Sequence, residues 1–121
     1  MQLVPLNGVT VTTTSDPSKS NVENLIALSV QFTCTGHTSG NGVFSVDVSN
    51  DGVNWATSIA LIDAASTTPS TRVTSVTLNS NSSKMYYFGN DFGAKLVRVV
   101  CAVTTDGVYT AVIQGQPALS H

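Results

Sequence analysis

Between Val43 and Trp55 the chain reads VFSVDVSNDGVNW, and this stretch limits the possible fold more than any other. Phe44, Val46 and Val48 alternate with Ser45, Asp47 and Ser49, the period-two pattern of a strand with one buried face. Asn50-Asp51-Gly52 then turns the chain, because Asp and Gly tolerate positive φ at little cost. Trp55 opens a second run behind the turn. The spacing predicts a hairpin of residues 43–49 against 55–62, with Asn50, Asp51, Gly52 and Trp55 as its structural residues.

The same grammar recurs along the chain, with apolar alternation followed by a turn of Gly, Asn, Asp or Pro. A short Thr-rich strand is expected over 9–14, then a polar loop over 15–21. In the clearest strand, 25–35, Ile26, Leu28, Val30, Phe32 and Cys34 are expected to face inward, and Ser29, Gln31, Thr33 and Thr35 outward. Further strands are expected over 72–78, over 84–88 with Met85, Tyr86, Tyr87 and Phe88, over 96–103 and over 108–114. In 96–103, Val97, Val99, Cys101 and Val103 share one side and Arg98 takes the other. About eight strands with turns every 8–12 residues describe an all-β antiparallel sandwich or barrel. At 121 residues the chain is read as one domain, 1–121. Residues 1–8 are either an arm that docks on a neighbour through Leu3, Val4 and Leu6 or an edge strand of the same domain. Residues 115–121 read as a C-terminal tail.

Charged residues make up only 10% of the chain, against roughly a quarter in ordinary globular proteins. Ser, Thr and Asn therefore keep the surface polar. Five Lys and Arg face seven Asp and Glu, a formal charge of -2 with no basic stripe. Nucleic acid is thus not an expected partner, and repulsion between copies is weak. No apolar run reaches about 18 residues, so no membrane span is expected. The N-terminal residues lack the pattern of a secretory signal, and synthesis in the cytoplasm is the expectation.

Few residues offer chemistry. His37 lies in a Gly-rich turn and His121 at the C-terminus, neither beside a recognisable nucleophile motif. Cys34 and Cys101 fall on inward faces of two strands, as either an inter-sheet disulfide or two core thiols, and cytoplasmic synthesis favours thiols. Asp47, Asn50 and Asp51 lack the ligand series of a calcium loop, and Asp51 suits a turn that bonds its own backbone. Asp47 and Asp63 show no sign of converging as a catalytic pair. Trp55, Tyr86, Tyr87, Phe88 and Tyr109 include outward candidates for subunit or sugar contact. Arg98 is expected to pair with Asp47 or Asp91, or to sit in an interface together with Tyr86. No catalytic residue, cofactor or metal is expected, and the chain is not read as an enzyme.

The segments SVDVSNDGVNW at 45–55 and AKLVRVVCAVTTDGVYTAVIQGQ at 94–116 resemble a family of small phage virion proteins. That family pairs an SNDGxNW hairpin with a later Val-Arg-Val strand, a Gly turn and a last strand ending in small polar residues. Ser49 to Trp55 matches the first element and Val97-Arg98-Val99-Val100 the second, with Ala94 and Leu96 where the family carries aromatics. The resemblance implies a jelly-roll β-sandwich on the capsid surface of a virion, acting as a decoration or cement protein across neighbouring capsomers. Its implied partners are the major capsid protein and copies of itself in a homo-oligomer. A carbohydrate-binding or host-adhesion module gripping a host glycan is the alternative. A minor capsid or tail-tube component is a third.

Overall fold

The structure is a computed structural model, and it describes residues 1–65, 72–89 and 93–117. Among the described residues nine strands follow in order: β1 (Gln2–Val9), β2 (Thr13–Thr14), β3 (Leu25–Thr35), β4 (Gly40–Ser49), β5 (Ile62–Asp63), β6 (Val76–Leu78), β7 (Ser82–Gly89), β8 (Leu96–Thr105) and β9 (Val108–Pro117). They form two antiparallel sheets with the orders β1-β9-β3-β7-β5 and β2-β8-β4-β6. The first strand pairs with the last, β2 with β8, β3 with β7 and β4 with β6. This is the nested pairing of a long hairpin rolled up into a jelly roll. A 3-10 turn, Pro17–Lys19, lies between β2 and β3 and is capped by Asp16.

The period-two signal places the core. Val30, Phe32, Phe44, Val46, Val97, Val99, Cys101, Ala111 and Ile113 are all buried between the sheets. Phe32 of β3 stacks on Phe44 of β4 at 4.4 Å between ring centroids, so one aromatic contact ties the two sheets together. Tyr86 approaches Phe32 at 6.1 Å, and Tyr109 meets Phe44 edge-on at 5.9 Å. The Tyr109 hydroxyl donates to the Asp106 carbonyl, which satisfies the one polar atom of that ring.

Four expectations need correction. Ile26 does not face inward: Ala27 takes φ +55 and the register with β9 slips there, so Leu25 and Leu28 fill the core and Ile26 is 41% exposed. Residues 55–62 do not form a full return strand. Their backbone pairs with that of β4 only through one bridge, Val48 with Ala56, and one bond from the Ile59 amide to the Val46 carbonyl. The chain then leaves, because Ser58 takes φ +52 and β6 already occupies that edge of β4 at Gly42, Val43 and Phe44. The expected strand 9–14 is divided between the sheets, with β1 ending at Val9 and β2 beginning at Thr13. In 72–78 only Val76–Leu78 is strand, and Val73 bridges Leu61.

Of the two readings of 1–8, the structure takes the edge strand: Gln2, Leu3 and Leu6 stand opposite Gln114, Ile113 and Ala111 of β9. Residues 115–117 of the expected tail belong to β9, where the Gly115 amide donates to the Met1 carbonyl. The remainder of that tail, His121 included, lies outside the described residues, as does Asp91.

Gly42 explains how the Tyr109 ring fits. A Cβ at Gly42 would lie 2.4 Å from the ring, and one at Gly107 2.5 Å from the hydroxyl. Both glycines therefore make room for the ring. Replacing Gly42 by Ala is expected to cost about 1–3 kcal/mol. In urea melts this lowers the midpoint at unchanged slope, and a Gly42→Ala protein as stable as the parent would show that the ring is not held there.

Candidate interaction surface

β4 and β8 are the central strands of the four-stranded sheet, and their register sets Asp47 directly opposite Arg98 on its outer face. Arg98 Nε donates to Asp47 Oδ2 at 2.8 Å, and the guanidinium lies 4.3 Å from the centre of the Trp55 ring. Asp47 Oδ1 accepts the Ser58 amide at 2.9 Å. The segment after the Asn50-Asp51-Gly52 turn is thus laid back over the sheet. It leaves the Asp47 carboxylate only 4% exposed and the Arg98 side chain 26% exposed. Of the two partners expected for Arg98, Asp47 holds it, and Arg98 with Trp55 acts first as an internal clasp.

The turn is organised by two side chains. Ser49 Oγ donates to the Asn54 carbonyl at 2.6 Å and accepts from the amides of Asp51 and Gly52. The Asp51 carboxylate accepts the amides of Val53 and Asn54, each at 2.8 Å, and the Asn54 side-chain amide at 2.9 Å. These donors, the Asn54 amide first, hold Asp51 far below the usual carboxylate range. Gly52 takes φ +76, as the turn requires. Beside the turn lies an open cleft of about 530 Å³, lined by Val48, Ala56 and Ile59 together with Asn50 and Asp51. Its carboxylate is engaged by the turn itself.

The other candidate residues are spread through the fold. Leu6 is 2% exposed and Tyr86 6%, so both pack in the core and neither is available to a partner, contrary to expectation. The alternation that buries Val30 and Phe32 buries Tyr86 opposite Val30, and Tyr109 is buried likewise. Leu3 packs partly against the core, while Val4 is 41% exposed. Cys34 and Cys101 are unbridged and buried. Burial, with Cys34 nearby, pushes the Cys101 thiol up to about 12. Asp106 accepts the amides of Thr38 and Ser39 and is held below its ordinary value chiefly by the Thr38 amide. The His37 ring meets the Gly40 carbonyl at 2.9 Å. The Asp63 carboxylate accepts the Ala65 amide. Asp47 and Asp63 lie in opposite sheets, and among the described residues no three His, Cys, Asp or Glu gather into a metal-binding group.

Sequence reasoning missed a surface on the five-stranded sheet. Its four longer strands, β1, β3, β7 and β9, carry one charged residue between them, Lys84, and that residue stands opposite the inward-facing Phe32. The outward positions are Ser29, Gln31 and Thr33 of β3, Met85 and Tyr87 of β7, and Thr110, Val112 and Gln114 of β9. Gln31 and Thr33 both bond the Ser83 hydroxyl, knitting this face together. Met85 is 48% exposed and Tyr87 40%. The signal was present in the apolar run Met85 to Phe88, but its phase was set only by the pairing of Tyr86 with Val30.

No family model matches the chain, and no curated protein matches it. Among solved structures it is similar to the crystal structure of the SPBc2 prophage-derived protein YomS, with a TM-score of 0.73 over 96% of this chain and 92% of that one, at 13% sequence identity. The two proteins share a fold.

Two outcomes are expected from these contacts. Arg98→Met leaves Asp47 buried without its counter-ion and is expected to destabilise by about 1–3 kcal/mol, less than a fully buried pair because Arg98 is partly exposed. Adding Asp47→Asn to Arg98→Met should recover part of that loss in denaturant melts, whereas simple additivity would show that the two side chains are uncoupled. Asp51 and Asp106 have folded values below their unfolded ones, so their stabilisation is complete above about pH 4 and is lost as pH falls through the folded values. The unfolding midpoint should therefore drop on acidification from about pH 5 to 2, and less steeply in Asp51→Asn. An identical acid slope in that variant would remove Asp51 from the account.

Proposed function

We propose that this chain is a structural protein of a phage particle, most specifically a decoration protein that binds across neighbouring capsomers and adds contact area to the shell. The observation that carries the reading is the jelly-roll sandwich, a fold shared with the SPBc2 prophage-derived protein YomS. Its ionised groups support this. Asp47, Asp51 and Asp106 are each engaged in holding a loop, so they serve the fold before any ligand. The exposed Ser, Thr, Gln and apolar side chains suit a protein partner, since charged residues are depleted at the centre of such interfaces. A glycan-binding role draws on Tyr87, but Trp55 already covers Arg98 and the sheet face offers that single exposed ring for stacking among the described residues.

In this reading the chain is not an enzyme and needs no cofactor. Its partners are the major capsid protein and further copies of itself. The test is quantitative mass spectrometry of purified particles, combined with mixing of the purified chain and empty shells. Many copies in fixed ratio to the major capsid protein, with saturable binding to shells, are expected. Particles that lack the chain or hold only a few copies would overturn the decoration role.

A further inference from the structure

We propose that the outer face of the five-stranded sheet is where a second copy of this chain docks, giving a two-fold, face-to-face dimer. This rests on the reading above, in which further copies of the chain are partners, and names the face they share; failure to dimerise would leave the particle and shell-binding tests of that reading untouched.

Seven large hydrophobic side chains are exposed among the described residues, and Val4, Ile26, Met85 and Tyr87 belong to strands of this sheet. Leu3 packs against the core, so alternation turns Val4 outward. The slip at Ala27 does the same for Ile26, opposite the exposed Gln116. Half-buried Val112 lies between them on β9. Gln31 stands between Val112 and Met85, and Ser29 between Gln114 and Tyr87, so the face mixes Tyr, Met and aliphatic side chains with uncharged polar ones, the composition of an interface centre.

Strand addition at the sheet edges is a poor route to assembly. β1 carries Pro5 and two register shifts, β2 and β5 have two residues each, and β6 has three. Short, bulged or Pro-bearing edges are the features that block such pairing. These edges disfavour strand pairing and leave a sheet face as the better contact surface.

Charge selects the occupant. Among the described residues no ionised side chain projects from the centre of this face, while the chain as a whole carries -2. A partner with charges opposite it would have them desolvated with nothing to pair. A second copy of the same face meets that condition, because an isologous contact puts the same patch on both sides. Four strands about 4.8 Å apart, each about eight residues long at ~3.3 Å per residue, give a flat footprint on the order of 500 Å². Projecting side chains raise its accessible area toward the ~800 Å² per partner of a standard interface. This fits a reversible dimer that forms at micromolar concentration, not an obligate one.

Sedimentation velocity over about 1 µM to 1 mM tests the idea on the intact chain. The expected result is a concentration-dependent shift from the 12.6 kDa chain mass to twice that value. Met85→Lys and Tyr87→Lys are each expected to raise the dimer dissociation constant at least ~10-fold. Thr77→Lys, on the exposed position of β6 in the other sheet, should leave it unchanged. Circular dichroism melts confirm that each variant folds, since Met85, Tyr87 and Thr77 are all exposed. A wild type that stays monomeric throughout overturns the proposal, as does a Thr77→Lys effect equal to that of Met85→Lys. So does a monomer whose Met85→Lys variant loses binding to empty shells or host polysaccharide, which would assign the face to that other partner.

Discussion

The stack of Phe32 on Phe44 joins two sheets that share no hydrogen bond at that point, and the arrangement of the core follows from it. Sheets pack about 10 Å apart, and flat rings reach across that gap with little loss of side-chain entropy. Tyr86 and Tyr109 extend the contact along β7 and β9, so one aromatic group touches strands from both layers. The two glycines beneath Tyr109 are the complement of this cluster: they carry no side chain because the ring occupies that volume. Packing at crystal-like density explains why so specific a pairing of large and absent side chains is needed.

Few charges are present, and several act locally. Asp47 and Arg98 join the two central strands of one sheet and hold the segment after the turn through Ser58 and Trp55. Asp51 and Asp106 each gather backbone amides in a loop. In short polar turns such carboxylates satisfy amides that no strand partner reaches. The result is a surface whose polarity comes from hydroxyls and amides over one whole sheet face. Blunted sheet edges complete the picture, since they leave broad faces as the surfaces through which contact can occur.

Period-two alternation and turn residues were enough to assign an all-β antiparallel sandwich or barrel, the limits of β3 and the inward sides of β4 and β8. The local chemistry of Ser49, Asp51 and Gly52 was also legible, because a turn is decided by residues a few positions apart. Sequence alone could not choose between Asp47 and Asp91 for Arg98, divide 9–14 between two sheets, or place 1–8 at an edge, since each depends on which strand lies alongside. Nor could it phase Met85 to Phe88, where both faces of the strand are apolar, or foresee the slip at Ala27 that turns Ile26 outward. Side-chain periodicity reports that a strand has an inside, but only long-range pairing decides where that inside begins and which residues are left facing the solvent.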